Sequence, residues 1–129
     1  MPKTWSGGGG TSASKAKKSK IKEDPKRGSL YSISLQNFMC YNYAEFKPGS
    51  KFNVIIGPNG SGKSSIVTAI VVGLGGNLKT LRRQKELKDL VNKDSKEDEE
   101  ATITIILYQG KFDDEGNPLL HTIECKIDR

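Results

Sequence analysis

Gly57-Pro58-Asn59-Gly60-Ser61-Gly62-Lys63-Ser64 fits G-x-x-x-x-G-K-[ST], the Walker A phosphate loop, at every defined position. The glycines let successive backbone N–H groups curl round an anion along a path that a Cβ would obstruct. Lys63 is placed to reach the β- and γ-phosphates as a point charge, and the Ser64 hydroxyl to ligate Mg²⁺. The flanks give the motif its context. Lys51-Phe52-Asn53-Val54-Ile55-Ile56 reads as a buried strand leading in, continuous in apolar character as a covered central strand is. Ser64 to Val72 reads as a helix leading out, its positive dipole end aimed at the phosphate. The pattern predicts a nucleoside-triphosphate site on an α/β scaffold.

Composition bounds the rest. The chain has 129 residues, room for one domain at most, and is 34% hydrophobic. The apolar deficit lies in residues 1–28, rich in Gly, Ser and Lys, and this stretch is expected to be a disordered tail. It holds eight basic and two acidic residues, while residues 29–129 hold thirteen of each, so the whole net charge of +6 belongs to the tail. The folded part has no basic bias from which DNA binding could be read. Within the tail, Lys15 to Lys22 suits a nuclear import signal, a non-specific phosphate-binding arm or a merely solvated segment. No apolar run reaches membrane-span length and no signal peptide is expected, so no membrane partner is expected. Two cysteines, Cys40 and Cys125, read as buried reduced thiols.

The domain is expected over residues 29–129. Leu30 to Gln36 alternates, with Tyr31, Ile33 and Leu35 on one face of a half-buried strand. Asn37 to Asn42 turns the chain into a second short strand at Tyr43–Lys47, which Pro48-Gly49 ends. The helix after Lys63 is apolar nearly all round, which predicts burial on most faces, and Gly75-Gly76 is its cap. A short helix is expected over Glu86–Val91 and an exposed loop over Lys96–Glu100. Ala101–Tyr108 and Leu119–Ile127 form a hairpin across the turn-rich Lys111–Pro118. Gln109 reads as a turn residue, and His121, the only histidine, as a strand residue.

The output of the site is harder to read. Asn92-Lys93-Asp94-Ser95 approaches the guanine-reading Asn-Lys-x-Asp, but Ser95 stands where the Asp is required, so ATP is preferred to GTP. A competent ATPase also places an acid at the end of a second apolar strand. Ile103–Tyr108 ends in Gln109-Gly110, so the catalytic acid and base are expected outside this chain.

Leu35-x-Asn37-Phe38-Met39-x-Tyr41, then Phe52 to Val67, then Gly73-Leu74-Gly75-Gly76, resemble the N-terminal head segment of the structural-maintenance-of-chromosomes (SMC) ATPases over roughly residues 28–129. Among the eukaryotic subunits the resemblance is greatest to the fifth, the partner of the sixth. It implies a P-loop NTPase half-head of ABC/SMC type, with a mixed sheet, one buried helix after the phosphate loop and a β-hairpin. It implies that Gly57, Pro58, Asn59, Gly60, Ser61, Gly62, Lys63, Ser64 and Ser65 bind ATP, with Ser64 on Mg²⁺. It places Asn37 and Phe38 near the base and ribose, and Arg83 where the family carries an arginine tied to DNA contact and ATPase control. Arg82 stands where the fifth subunit usually has glycine.

The implied partners are the C-terminal half of the same head, a second SMC subunit, the sixth by this resemblance, and the DNA backbone. The implied setting is DNA repair by homologous recombination and chromosome maintenance in the nucleus, with ATP-driven head engagement clamping DNA. A long coiled coil, expected beyond Arg129, would join the two halves of the head, and residues 1–129 alone are expected to bind ATP weakly without turnover. The alternatives are the sixth SMC subunit, another recombination-repair ABC ATPase of the RecF kind, or an unrelated P-loop kinase or NTPase.

Overall fold

A computed structural model describes residues 26–49, 51–81, 86–96 and 98–129. The basic run of the tail, Arg82 and Arg83 lie outside the described residues. The chain order is β1 (Leu30–Phe38), β2 (Tyr41–Phe46), α1 (Lys63–Gly73), two single-turn 3₁₀ helices at Leu78–Leu81 and Leu87–Leu90, β3 (Ala101–Phe112) and β4 (Pro118–Ile127).

The four strands form one sheet in the order β2-β1-β3-β4, with every pairing antiparallel. Alternation fixes the register. Ile33 stands opposite Ile105 and Leu35 opposite Ile103, and Ile105 and Ile103 in turn face Ile123 and Cys125. A slip of one residue would turn all of these side chains to the other face. Ile33, Leu35, Ala101, Ile103 and Ile105 are buried on the face that receives α1 through Ala69 and Val72. Each fully buried isoleucine or leucine side chain among them stabilises the fold by about 1.5–3 kcal/mol before entropy is counted.

β1 runs two residues further than its alternation predicts. Asn37 takes a left-handed φ of 51°, and Phe38 bridges to Val91, with Met39 N–H donating to the Leu90 carbonyl at 2.7 Å. The turn contracts to Met39-Cys40, and β2 begins at Tyr41 rather than Tyr43. Leu87–Leu90 replaces the short helix expected there.

α1 ends in a Schellman motif. Gly75, at φ +81°, donates to Val72 O at 3.0 Å, and Gly76 to Val71 O at 2.7 Å. Only one side of the helix is covered: Ile66, Ala69 and Val72 are buried, whereas Val67 is 49% exposed. Its all-round apolar character therefore overstates its burial in this chain.

Phe52–Ile56 is the main departure from expectation. It is not a strand, and Phe52 is 85% and Ile56 90% exposed. A parallel covered strand needs neighbours on both sides, and none of β1 to β4 pairs with this segment. The segment that would make the sheet mixed thus lies outside it, and the sheet is antiparallel. Asn53 anchors the segment locally, accepting from Gly49 N–H at 2.6 Å and donating to Gly49 O at 3.0 Å. Two smaller corrections follow. Cys40 is exposed rather than buried, and Gln109 lies within β3, its amide donating across the hairpin to Leu120 O at 3.1 Å.

Candidate phosphate-binding site

The loop from Gly57 to Gly62 carries the chain into the first turn of α1. Pro58 O accepts from Ser61 N–H at 3.2 Å, and Gly62 O from Ser65 N–H at 3.0 Å. Gly62 is the N-cap residue, at φ 94° and ψ 10°, with no side chain capping the helix. The helix opens with N–H groups that have no intrahelical acceptor. That is the donor set an anion requires.

Lys63 folds back over the loop. Its ammonium donates to the Gly57 carbonyl and, at 3.3 Å, to the Pro58 carbonyl. The cation thus lies against the loop backbone and is partly buried. Ser64 is exposed at the start of α1, its hydroxyl open to a ligand, and its carbonyl accepts from the Thr68 hydroxyl at 2.9 Å. Ser65 is buried beneath the loop.

These residues fit a nucleotide phosphate. A Cβ on Gly57 would lie 2.6 Å from Ser61 Oγ, so a side chain there would displace the Ser61 hydroxyl. Lys63 supplies positive charge and Ser64 one hard oxygen ligand for Mg²⁺. Among the described residues no group of three His, Cys, Asp or Glu could hold a metal ion.

The turn between β1 and β2 closes one side of the loop, a contact that spacing in the sequence does not announce. Tyr41 Oη donates to Gly62 O at 3.1 Å, and Cys40 Sγ lies 3.8 Å from Ser65 Oγ. A Cβ on Gly62 would stand 2.6 Å from both Cys40 Sγ and Tyr41 Oη. Burial, and secondarily the neighbouring Cys40 thiol, raise the Tyr41 phenol above its ordinary value. The phenol therefore remains a donor through the neutral range.

Phe38 does not share this surface. It is fully buried in the core, so no part of its ring is available to a ligand. Asn37 donates its side-chain amide to Glu100 O at 3.4 Å, and its carbonyl accepts from Asn92 N–H at 2.7 Å. The residues of this turn that meet the loop are Cys40 and Tyr41.

Comparison with known proteins agrees with the geometry. The family described as "AAA domain" matches residues 32–126. Structural maintenance of chromosomes protein 5 of Schizosaccharomyces pombe is 40% identical over 114 residues, covering 79% of this chain and 11% of its own length. Structural maintenance of chromosomes protein 6 of Saccharomyces cerevisiae is 45% identical over 69 residues, covering 54% of this chain and 6% of its own length. The chain thus spans about a tenth or less of these curated relatives. Among solved structures, one described for ATP-driven dimerization and DNA-stimulated activation of SMC ATPases has a TM-score of 0.57 at 23% identity, over 78% of this chain and 70% of that one. That likeness supports the fold. The chain belongs to the AAA-domain family, as an N-terminal head segment of the type found in structural maintenance of chromosomes proteins 5 and 6.

Proposed function

We propose that this chain is the ATP-binding segment of a chromosome-maintenance ATPase head, of the fifth-subunit kind. The observation that carries it is the placement of the Lys63 ammonium on the Gly57 and Pro58 carbonyls, beside the unpaired N–H groups that open α1. A cation lies against the loop that leads into an uncapped helix N-terminus, the combination of groups that a triphosphate requires. The fifth kind is preferred to the sixth by a small margin: a fifth-kind relative matches over 88% of the chain and a sixth-kind relative over 79%.

In this reading Gly57 to Ser65 bind and orient the phosphates, Lys63 draws charge from the β- and γ-phosphates, and Ser64 holds Mg²⁺. ATP is the phosphate donor, and its hydrolysis requires an acid and a base from the C-terminal half of the same head. Phe52–Ile56, apolar and exposed, is the segment that this second half would cover. A second SMC subunit, of the sixth kind, would close over the nucleotide. Such burial gives ATP its differential affinity for the engaged state, as any nucleotide switch demands. DNA held between engaged heads would be bound through its backbone, with little sequence readout. The setting proposed is the nucleus, in recombinational repair and chromosome maintenance.

The test is a fluorescent-ATP titration of the chain against Lys63→Ala. Binding weakened at least tenfold in the variant is expected, and equal affinities would overturn the site. Phosphate release by this chain alone, above a blank, would overturn the assignment of the acid and base to another segment.

A further inference from the structure

We propose that Tyr41 is a positioning residue for the phosphate loop, acting through the Gly62 carbonyl and touching no phosphate itself. The inference rests on the nucleotide reading above and adds a residue to it. A trans peptide is planar, so the Gly62 C=O and the Lys63 N–H point in opposite directions from one rigid unit. Whatever fixes the carbonyl also aims that N–H. The carbonyl is held by two donors, the Tyr41 phenol at 3.1 Å and Ser65 N–H at 3.0 Å. Rotating the peptide would break both bonds and turn the Lys63 N–H away from an anion.

Tyr41 is itself fixed from the opposite side. Its ring meets Phe46 edge-on, with centroids 5.9 Å apart and planes at 75°. Its turn is tied down by Met39 N–H on Leu90 O at 2.7 Å, and by Asn92 Nδ2 on Asn42 Oδ1 at 2.8 Å. The phenol is therefore a preorganised support, the kind that keeps a binding group within a fraction of an ångström of its working geometry. Bare Gly62 makes the contact possible, because a Cβ there would occupy the space of the phenol oxygen.

Tyr41→Phe keeps the ring and its edge contact and removes only the donor. Fluorescent ADP and ATP are titrated into both proteins at a temperature where both are folded. The expected result is a loss of about three- to tenfold, the worth of one neutral hydrogen bond. It should be equal for the two nucleotides, because the supported peptide faces the phosphates they share. In the absence of nucleotide, the ¹⁵N order parameter of the Lys63 amide should fall while those of β3 stay unchanged. A merely structural tyrosine would lower the melting temperature and leave both readouts alone, and that outcome overturns the inference. If the parent chain binds nucleotide and Tyr41→Phe binds equally well, the inference falls alone. If the parent chain binds neither nucleotide, the nucleotide reading falls and takes the inference with it.

Discussion

A Cβ on Gly73 would lie 2.6 Å from Ile105 Cδ1 and 3.0 Å from Ile103 Cγ2, so α1 sits on the sheet at a distance only glycine permits. Both isoleucines are fully buried and have nowhere to retreat. Gly73→Ala gains about 1 kcal/mol of helix propensity and loses about 1–3 kcal/mol to overpacking. A net destabilisation of about 1 kcal/mol is expected in urea denaturation. Ile105→Val removes the clashing methyl and should restore part of that loss in the double variant, a positive coupling. Added stability in Gly73→Ala would show that the helix can lift without cost.

Asn92 knits three segments together. It is buried, it donates to Asn42 Oδ1 at 2.8 Å, its Oδ1 accepts from Asp94 N–H at 2.9 Å, and its carbonyl accepts from Arg129 Nη2 at 2.8 Å. Asn92→Ala deletes the first two bonds and should cost about 1–3 kcal/mol. Arg129→Ala breaks only a bond to the Asn92 backbone and should cost less. Comparable losses in denaturant midpoint for the two variants would place the strength of this junction in the main chain instead.

Much of this fold is legible because its signals are local. The eight residues of the phosphate loop, the alternation of Ile33 with Leu35 and the β-branched run from Thr102 to Ile106 each specify their own backbone. What could not be read depends on neighbours far along the chain. Phe52–Ile56 has the composition of a covered strand, yet composition states only that a segment can be buried, and none of the described strands pairs with it. Phe38 carried a family resemblance to a nucleotide contact, whereas its ring is fully buried in the core, beside a backbone bridge to the distant Val91. Tyr41 and Gly62 are 21 positions apart, and no periodicity relates them.

The exposed run from Phe52 to Ile56 should make the chain associate with itself. Four large apolar side chains in five residues, each at least 48% exposed, with unpaired backbone between them, offer a template for another strand. Phe52→Lys with Ile56→Lys places charge on the two most exposed positions. Sedimentation velocity should show concentration-dependent species for the parent chain and a monomer for the double variant. A parent chain that stays monomeric at high concentration contradicts this.

At the other end of the sheet, the Asp113 carboxylate closes the β3–β4 hairpin by accepting from Asn117 N–H at 2.7 Å, Glu115 N–H at 3.0 Å and Asn117 Nδ2 at 3.1 Å. The Asn117 backbone bond first, then its side-chain bond, hold the carboxyl below its ordinary value of 3.8. A depressed folded-state value means the contribution is complete above the unfolded-state value and is lost as pH falls through the lower folded one. The Asn117 amide-proton shift should therefore titrate with a midpoint below 3.8. Asp113→Asn keeps an acceptor and should abolish the titration. A midpoint at or above the ordinary value would mean that the loop does not hold the anion.

Gly60 and Gly62 separate strain from contact within the phosphate loop. Both are left-handed, at φ +81° and +94°, but a Cβ on Gly60 meets nothing within 4 Å, whereas one on Gly62 strikes Tyr41 and Cys40. Gly60→Ala should therefore show only the backbone penalty of about 1–2 kcal/mol. Gly62→Ala adds displacement of the β1–β2 turn, and with it the bond from Tyr41 to the loop. Fluorescent-nucleotide affinity should fall modestly in the first variant and by at least tenfold more in the second. Equal losses would mean that the turn follows the loop freely. Shortening the phenol by Tyr41→Phe in the Gly62→Ala background removes one of the three atoms the Cβ would crowd, leaving Cys40 Sγ and Tyr41 Cζ, so a partial recovery of affinity is expected only if the steric conflict, not the torsion, dominates the loss.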